Sequence, residues 1–262
     1  MRSTAAVLSA FLAITSAATT VSGAESVRTE RERYTECMTL AHQEPAKGLE
    51  RARTWHDTGG GDAARHCAGV ALISLGRYAE AGRHLEALAK TMDRRHGAGM
   101  RADALAQAGQ AWLLAGKPAR AEAAYTQALD LRTDDVELWI DRALARFEMT
   151  RYWEAIDDLN RASELAPDRA DVLVYRASAY RHVDAPAMAR NDVREALGHA
   201  PYHPEGLLER GILRRMNDNP EGARRDWLKV IDVAPASAAA DAARANIARL
   251  DVKGAGPRPD DS

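Results

Sequence analysis

The stretch from Arg151 to Asp168 restates its skeleton 34 residues later from Ala185, and again from Asn219. A chain that repeats one pattern at a fixed period does not build a single centred core, because each copy buries its apolar side chains against the copies beside it. Framed from Ala102, Val136, Ala170 and Pro204, the copies first place a large residue: Leu105, Trp139, Leu173 and Leu207. Four residues on come Gly109, Ala143, Ala177 and Gly211, small enough to let a second helix approach. After a turn, Ala121, Ala155, Ala189 and Ala223 form another small column, followed by Tyr125, Leu159, Val193 and Trp227. Two stripes at helical spacing on either side of a turn predict two helices per copy.

Proline marks the helix ends. Pro118, Pro186 and Pro220 stand just inside the second helix, where a missing N–H costs nothing, and Asn219 is a good N-cap. Pro167, Pro201 and Pro235 stop the copy. Aromatic residues make up only 5 % of the chain, which suits closely packed helices better than a β-rich core. An earlier copy from Asp62 keeps Gly69, Gly76, Tyr78, Ala81, Leu85 and Leu88, and Pro45 suggests a weaker hairpin before it.

From Asp62 to Ala236 these columns resemble the tetratricopeptide repeat, a helix-turn-helix unit with large, small, small, large and proline landmarks in this order. The departures are Arg146 and Arg214, where Trp112 and Tyr180 supply an aromatic, and Thr133 in place of a closing proline. The resemblance implies an all-α, right-handed superhelical solenoid of stacked antiparallel helix pairs with a concave groove that binds a protein or peptide. On this reading residues 25–95 are an N-terminal helical module with divergent repeats and 96–101 a loop insert. Residues 102–236 are the regular array, 237–252 a capping helix and 253–262 a disordered tail.

Residues 1–24 carry Arg2, an apolar run from Ala5 to Ile14 and the small residues Ser22, Gly23 and Ala24, the order of a secretory signal cleaved after Ala24. The apolar run is about half of the ~20 residues that a spanning helix needs. A periplasmic or secreted location is therefore expected. The remaining 35 basic and 38 acidic residues alternate at helical spacing, so nothing attracts a nucleic acid.

Cys37 and Cys67 are the only cysteines, and in an exported protein pairing is expected. They fall on the first helices of consecutive hairpins. Arg142, Arg176 and Arg210 recur in one column and Asp158, Asp192 and Asp226 recur 16 residues later in another. Each pair is symmetric about its turn, so antiparallel helices should bring the two charges to one height as a ladder of structural ion pairs. No histidine pair has metal-ligand spacing on one helix, and no nucleophile elbow or phosphate loop is present. No metal, cofactor or catalytic residue is expected, and the chain reads as a binding scaffold rather than an enzyme.

For the groove, Ile140, Leu144 and Phe147 form a second apolar stripe, which Leu113, Val174, Leu208 and Ile212 continue in matching columns. The resemblance places these on the concave side, with Arg181 and Arg215 beside them and Gln110 and Ser178 as polar contacts. Such a strip suits an amphipathic helix, or an extended apolar segment carrying a carboxylate. The competing expectation is that the final helix or neighbouring side chains cover it. An accessory protein that supports an enzyme complex or binds glycan, with a merely structural groove, is the alternative function.

Overall fold

The computed structural model describes residues 21–92 and 97–254, and all of its regular structure there is helical. The helices are α1 (Val21–Gln43), α2 (Pro45–Asp57), α3 (Gly61–Ser74), α4 (Tyr78–Thr91), α5 (Gly97–Leu114), α6 (Pro118–Leu129) and α7 (Val136–Glu148). They continue as α8 (Tyr152–Leu165), α9 (Ala170–His182), α10 (Pro186–His199), α11 (Pro204–Met216), α12 (Pro220–Val233) and α13 (Ala238–Gly254). Residues 1–20 of the expected signal segment and residues 255–262 of the expected tail lie outside the described residues.

Two compact units divide the chain between Ser74 and Leu75, not at the expected boundary after residue 95. The first contains α1, α2 and α3, each packed on the other two. Gly48 lets α2 cross α1 closely, since a Cβ there would lie 2.5 Å from the Ala41 nitrogen. Cys37 on α1 and Cys67 on α3 form a disulfide with Cα atoms 6.1 Å apart, and both cysteines are fully buried.

In the second unit α4 packs on α5, and the same pairing runs on through α12 and α13. What draws α4 into this unit is interdigitation: a Cβ on Gly82 would lie 2.5 Å from the Trp112 ring, so glycine makes the socket for that indole. The expected loop at 96–101 is corrected too, because Gly97 to Arg101 form the first turn of α5, and the Arg101 Nε donates to the Ala89 carbonyl at 3.3 Å. The residues inserted into the repeat lengthen a helix here, and residues 93–96 lie outside the described residues.

Within each copy the columns interlock as their sizes require. Gly211 faces Trp227 and Gly109 faces Tyr125, at distances where any Cβ would collide with the ring. The turn after the first helix needs a left-handed residue; Gly76 and Gly116 supply it in two copies, and Thr150, Asp184 and Asp218 adopt it in the same column. Asn219 accepts from the Gly222 N–H at 2.9 Å, and Ser237 caps α13 by accepting from Ala240 at 3.1 Å.

The arginine column lies against the aspartate column. Arg142 grips Asp158 at 3.0 and 2.7 Å, Arg176 grips Asp192 at 2.8 and 2.9 Å, and Arg210 grips Asp226 at 3.1 and 2.7 Å. The three carboxylates are buried, so each depends on its guanidinium for solvation.

Candidate functional site

First helices of successive copies approach one another directly, α5 with α7, α9 with α11, and α11 with α13. The residues they turn toward each other make one face. Along it the expected apolar strip is partly used up. Ile140 and Val174 are each only 4 % exposed, Ile140 within a cluster with Ala143, Leu159 and Val172, and Val174 beside Leu173 and Ala196. The reason is close helix approach: a Cβ on Gly206 of α11 would lie 3.3 Å from Val174, so that side chain is an inter-helix contact rather than a docking surface.

The rest of the strip is half-buried. Leu144 and Phe147 pack on the Ile140 cluster, while Leu208 and Ile212 pack on a cluster that includes Ala239, Ala240 and Ala243 of α13. At this end the final helix covers part of the strip. Leu113 is half-buried, and Gln110 and Arg215 are exposed. Phe147 meets Tyr152 and His182 edge-on with centroids at 5.0 and 5.1 Å, and Tyr152 stacks on His182 at 4.6 Å. Arg181 is not free to receive a carboxylate. It donates to the buried Glu209 at 2.5 Å and to Ser178 at 3.2 Å, tying α9 to α11.

Two columns that the sequence reading passed over define the face better. At one repeat position of the first helices stand Asp103, in the second turn of the lengthened α5, and Glu137, Asp171 and Glu205, in the first turns of α7, α9 and α11, and one turn later come Gln107, Asp141, Tyr175 and Glu209. The first column repeats an acid four times, a signal that was readable. The second mixes an amide, two acids and a phenol, which conceals it as a column. Arg132 bridges Asp103 and Asp135, and Arg169 bridges Glu137 and Asp171. Seven carboxylates on and beside this face, Asp135 included, meet four guanidiniums, those of Arg132, Arg169, Arg181 and Arg215. The face is therefore acidic.

No family model matches the sequence, and no curated protein does. Solved structures do match. The C-terminal part of a TPR repeat-containing protein from Cytophaga hutchinsonii superposes with a TM-score of 0.63 at 17 % identity, over 84 % of this chain and 95 % of that one. MamA from Desulfovibrio magneticus RS-1 gives 0.58 at 18 % identity, over 69 % and 98 %. YrrB, described as a TPR protein with an unusual peptide-binding site, gives 0.53 at 16 % identity, over 74 % and 96 %. The chain has the tetratricopeptide-repeat fold.

Within the repeat fold the acidic columns couple from copy to copy. Burial raises the Tyr175 phenol, and Asp171, Glu205 and Asp141, drawn from three successive copies, push it further up. Asp141 is itself raised from an ordinary 3.8 to about 6, by burial first and then by Glu137 and Asp135, against the opposing effect of the Tyr125 hydroxyl. Glu209 is raised by burial although Arg181 works against it. Among the described residues no group of three or more His, Cys, Asp or Glu side chains could hold a metal ion. No helix of the described residues is long and apolar enough to cross a membrane.

Asp141 makes stability fall with rising pH. Unfolded, it ionises near 3.8, and folded only near 6, so across that window the folded state holds the extra proton and loses stability as pH rises. Asp141→Asn should therefore melt higher than the parent at pH 7.5, while the two converge at pH 3.5. Thermal melts across this range measure it, and a gap independent of pH would assign the effect to packing.

Proposed function

We propose that the protein is an exported scaffold whose first-helix face binds an extended basic segment of another polypeptide. One observation carries this reading: four successive first helices hold an acid at the same repeat position, Asp103 in the second turn of α5 and Glu137, Asp171 and Glu205 in the first turns of α7, α9 and α11. Of these, Asp103, Glu137 and Glu205 have side chains more than half exposed, so a partner's lysine or arginine reaches them from solvent and shares Asp103 with Arg132 and Glu137 with Arg169. Half-buried Tyr175 lies among them and offers an aromatic surface to a cation. An extended chain spans about 3.3 Å per residue and can follow acids repeated at helix spacing. This replaces the carboxylate-bearing partner expected from Arg181, since Glu209 already holds that guanidinium.

Export is supported by the order of charge, apolar run and small residues before Ala24 and by the buried Cys37–Cys67 pair. Panning a displayed library of random extended peptides on the mature protein tests the binding reading. Lysine- and arginine-rich peptides should be selected, and Glu137→Gln with Asp171→Asn should weaken them at least tenfold. Selection of acidic or purely apolar peptides would overturn it.

A further inference from the structure

We infer that the cavity between α10 and α11 is a second, separate site, one that takes a compact phosphate-class oxyanion. Each second helix of the array meets the first helix of the next copy through two of its columns. The first column reads Gly82, Glu122, Ile156 and Arg190, opposite Trp112, Arg146, Tyr180 and Arg214. At the first three levels the contact is closed, each time differently. Gly82 makes room for the Trp112 ring, Glu122 accepts from Arg146 Nε at 2.9 Å, and Ile156 and Tyr180 share an apolar cluster. At the fourth level arginine faces arginine.

The second column tells the same story. Glu86 accepts from the Trp112 indole at 2.7 Å, Thr126 from Arg142 at 3.2 Å, and Asn160 from Arg176 at 3.1 Å. At the level of Arg210 that column holds Arg194, whose guanidinium has no acceptor to offer. Both columns thus become arginine at one contact, and only there.

What remains is a cavity of about 490 Å³ with Val193 and Leu213 in its wall, lined by Arg190, Arg194, Arg210 and Arg214 and by no carboxylate. Asp226, 3 % exposed, bonds to two of these guanidiniums, Arg210 at 2.7 Å and Arg214 at 2.7 Å, so one negative charge stands against four positive ones. That carboxylate also fixes Arg210 and Arg214 in place, and guanidiniums held in advance lose little freedom on binding. Their planar forks match the oxygens of a phosphoryl group, and charge-assisted bonds of this kind are strong. The volume lies within the range of small-ligand pockets, with room for a diphosphate. The phosphoryl group can be free or carried on a small organic molecule.

The test measures binding of inorganic pyrophosphate to the mature protein by titration calorimetry at low salt, with sodium chloride at matched ionic strength as control. Saturable one-to-one binding to the parent is expected. Arg190→Glu should weaken it at least tenfold, because it places at the fourth level the acid that Glu122 supplies at the second, which also makes the variant fold-preserving by design. Its melting temperature without ligand should be no lower than the parent's. Arg194→Thr, which restores the acceptor found at Thr126, should weaken binding as well. Tighter binding of glycerol 3-phosphate than of inorganic phosphate would identify a carried phosphoryl group, and the reverse a free one; either supports the site. Absence of pyrophosphate binding to the parent, or equal binding to the parent and both variants, would overturn the inference. Peptide binding by the first-helix face should be unchanged in these variants, so the two sites succeed or fail separately.

Discussion

Asp158→Ala should cost the array about 3–5 kcal/mol, the range for stranding a buried charge. The carboxylate is 2 % exposed and serves two guanidiniums, Arg142 at 2.7 Å and Arg146 at 2.7 Å. The two would suffer unequally. Arg146 keeps the Glu122 carboxylate at 2.9 Å, whereas Arg142 keeps no carboxylate, only the Thr126 hydroxyl at 3.2 Å and the Trp139 ring at 4.8 Å. Arg142→Ala in the Asp158→Ala background should therefore recover part of the loss, since it removes the stranded charge. Urea unfolding of the four proteins of this cycle measures the coupling. Strictly additive losses would mean that the pair is not coupled.

Breaking the Cys37–Cys67 bond has the second large effect. The bond closes a sequence separation of 30 residues, worth roughly 3.5–4 kcal/mol in the loop-entropy account. It ties α1 to α3 in a unit of only three helices, where so small a core leaves little reserve. Reduction, or Cys37→Ser with Cys67→Ser, should raise amide exchange across residues 29–74 while α7 to α12 keep their protection. Uniform loss of protection through both units would contradict this, as would recovery of both cysteines alkylated without prior reduction.

Much of the fold was legible because the constraints that make a repeat are local. The small columns at Ala143 and Ala155, the prolines that open α6, α10 and α12, and the symmetry of Arg176 and Asp192 about their turn all follow from helix spacing alone. The division at Ser74 was not legible, since whether α4 packs forward depends on Gly82 receiving Trp112 from another helix. Nor was the start of α5, where glycines at 97 and 99 suggested a loop but the residues after Gly97 continue the helix. The candidate site was read less well. An apolar stripe on a first helix can face either a partner or the next first helix, and Ile140 and Val174 show that the second contact wins. Arg181 looked available because its partner Glu209 lies 28 residues away, beyond any spacing argument within one helix.

We propose above all that the acidic first-helix face receives a basic polypeptide segment. Hydrogen exchange of the mature protein, with and without a saturating lysine- and arginine-rich peptide, tests it most directly. Added protection confined to the first turns of α7, α9 and α11, around Glu137, Asp171 and Glu205, is the result expected. Protection confined to the second helices α8, α10 and α12, or none at saturation, would contradict it.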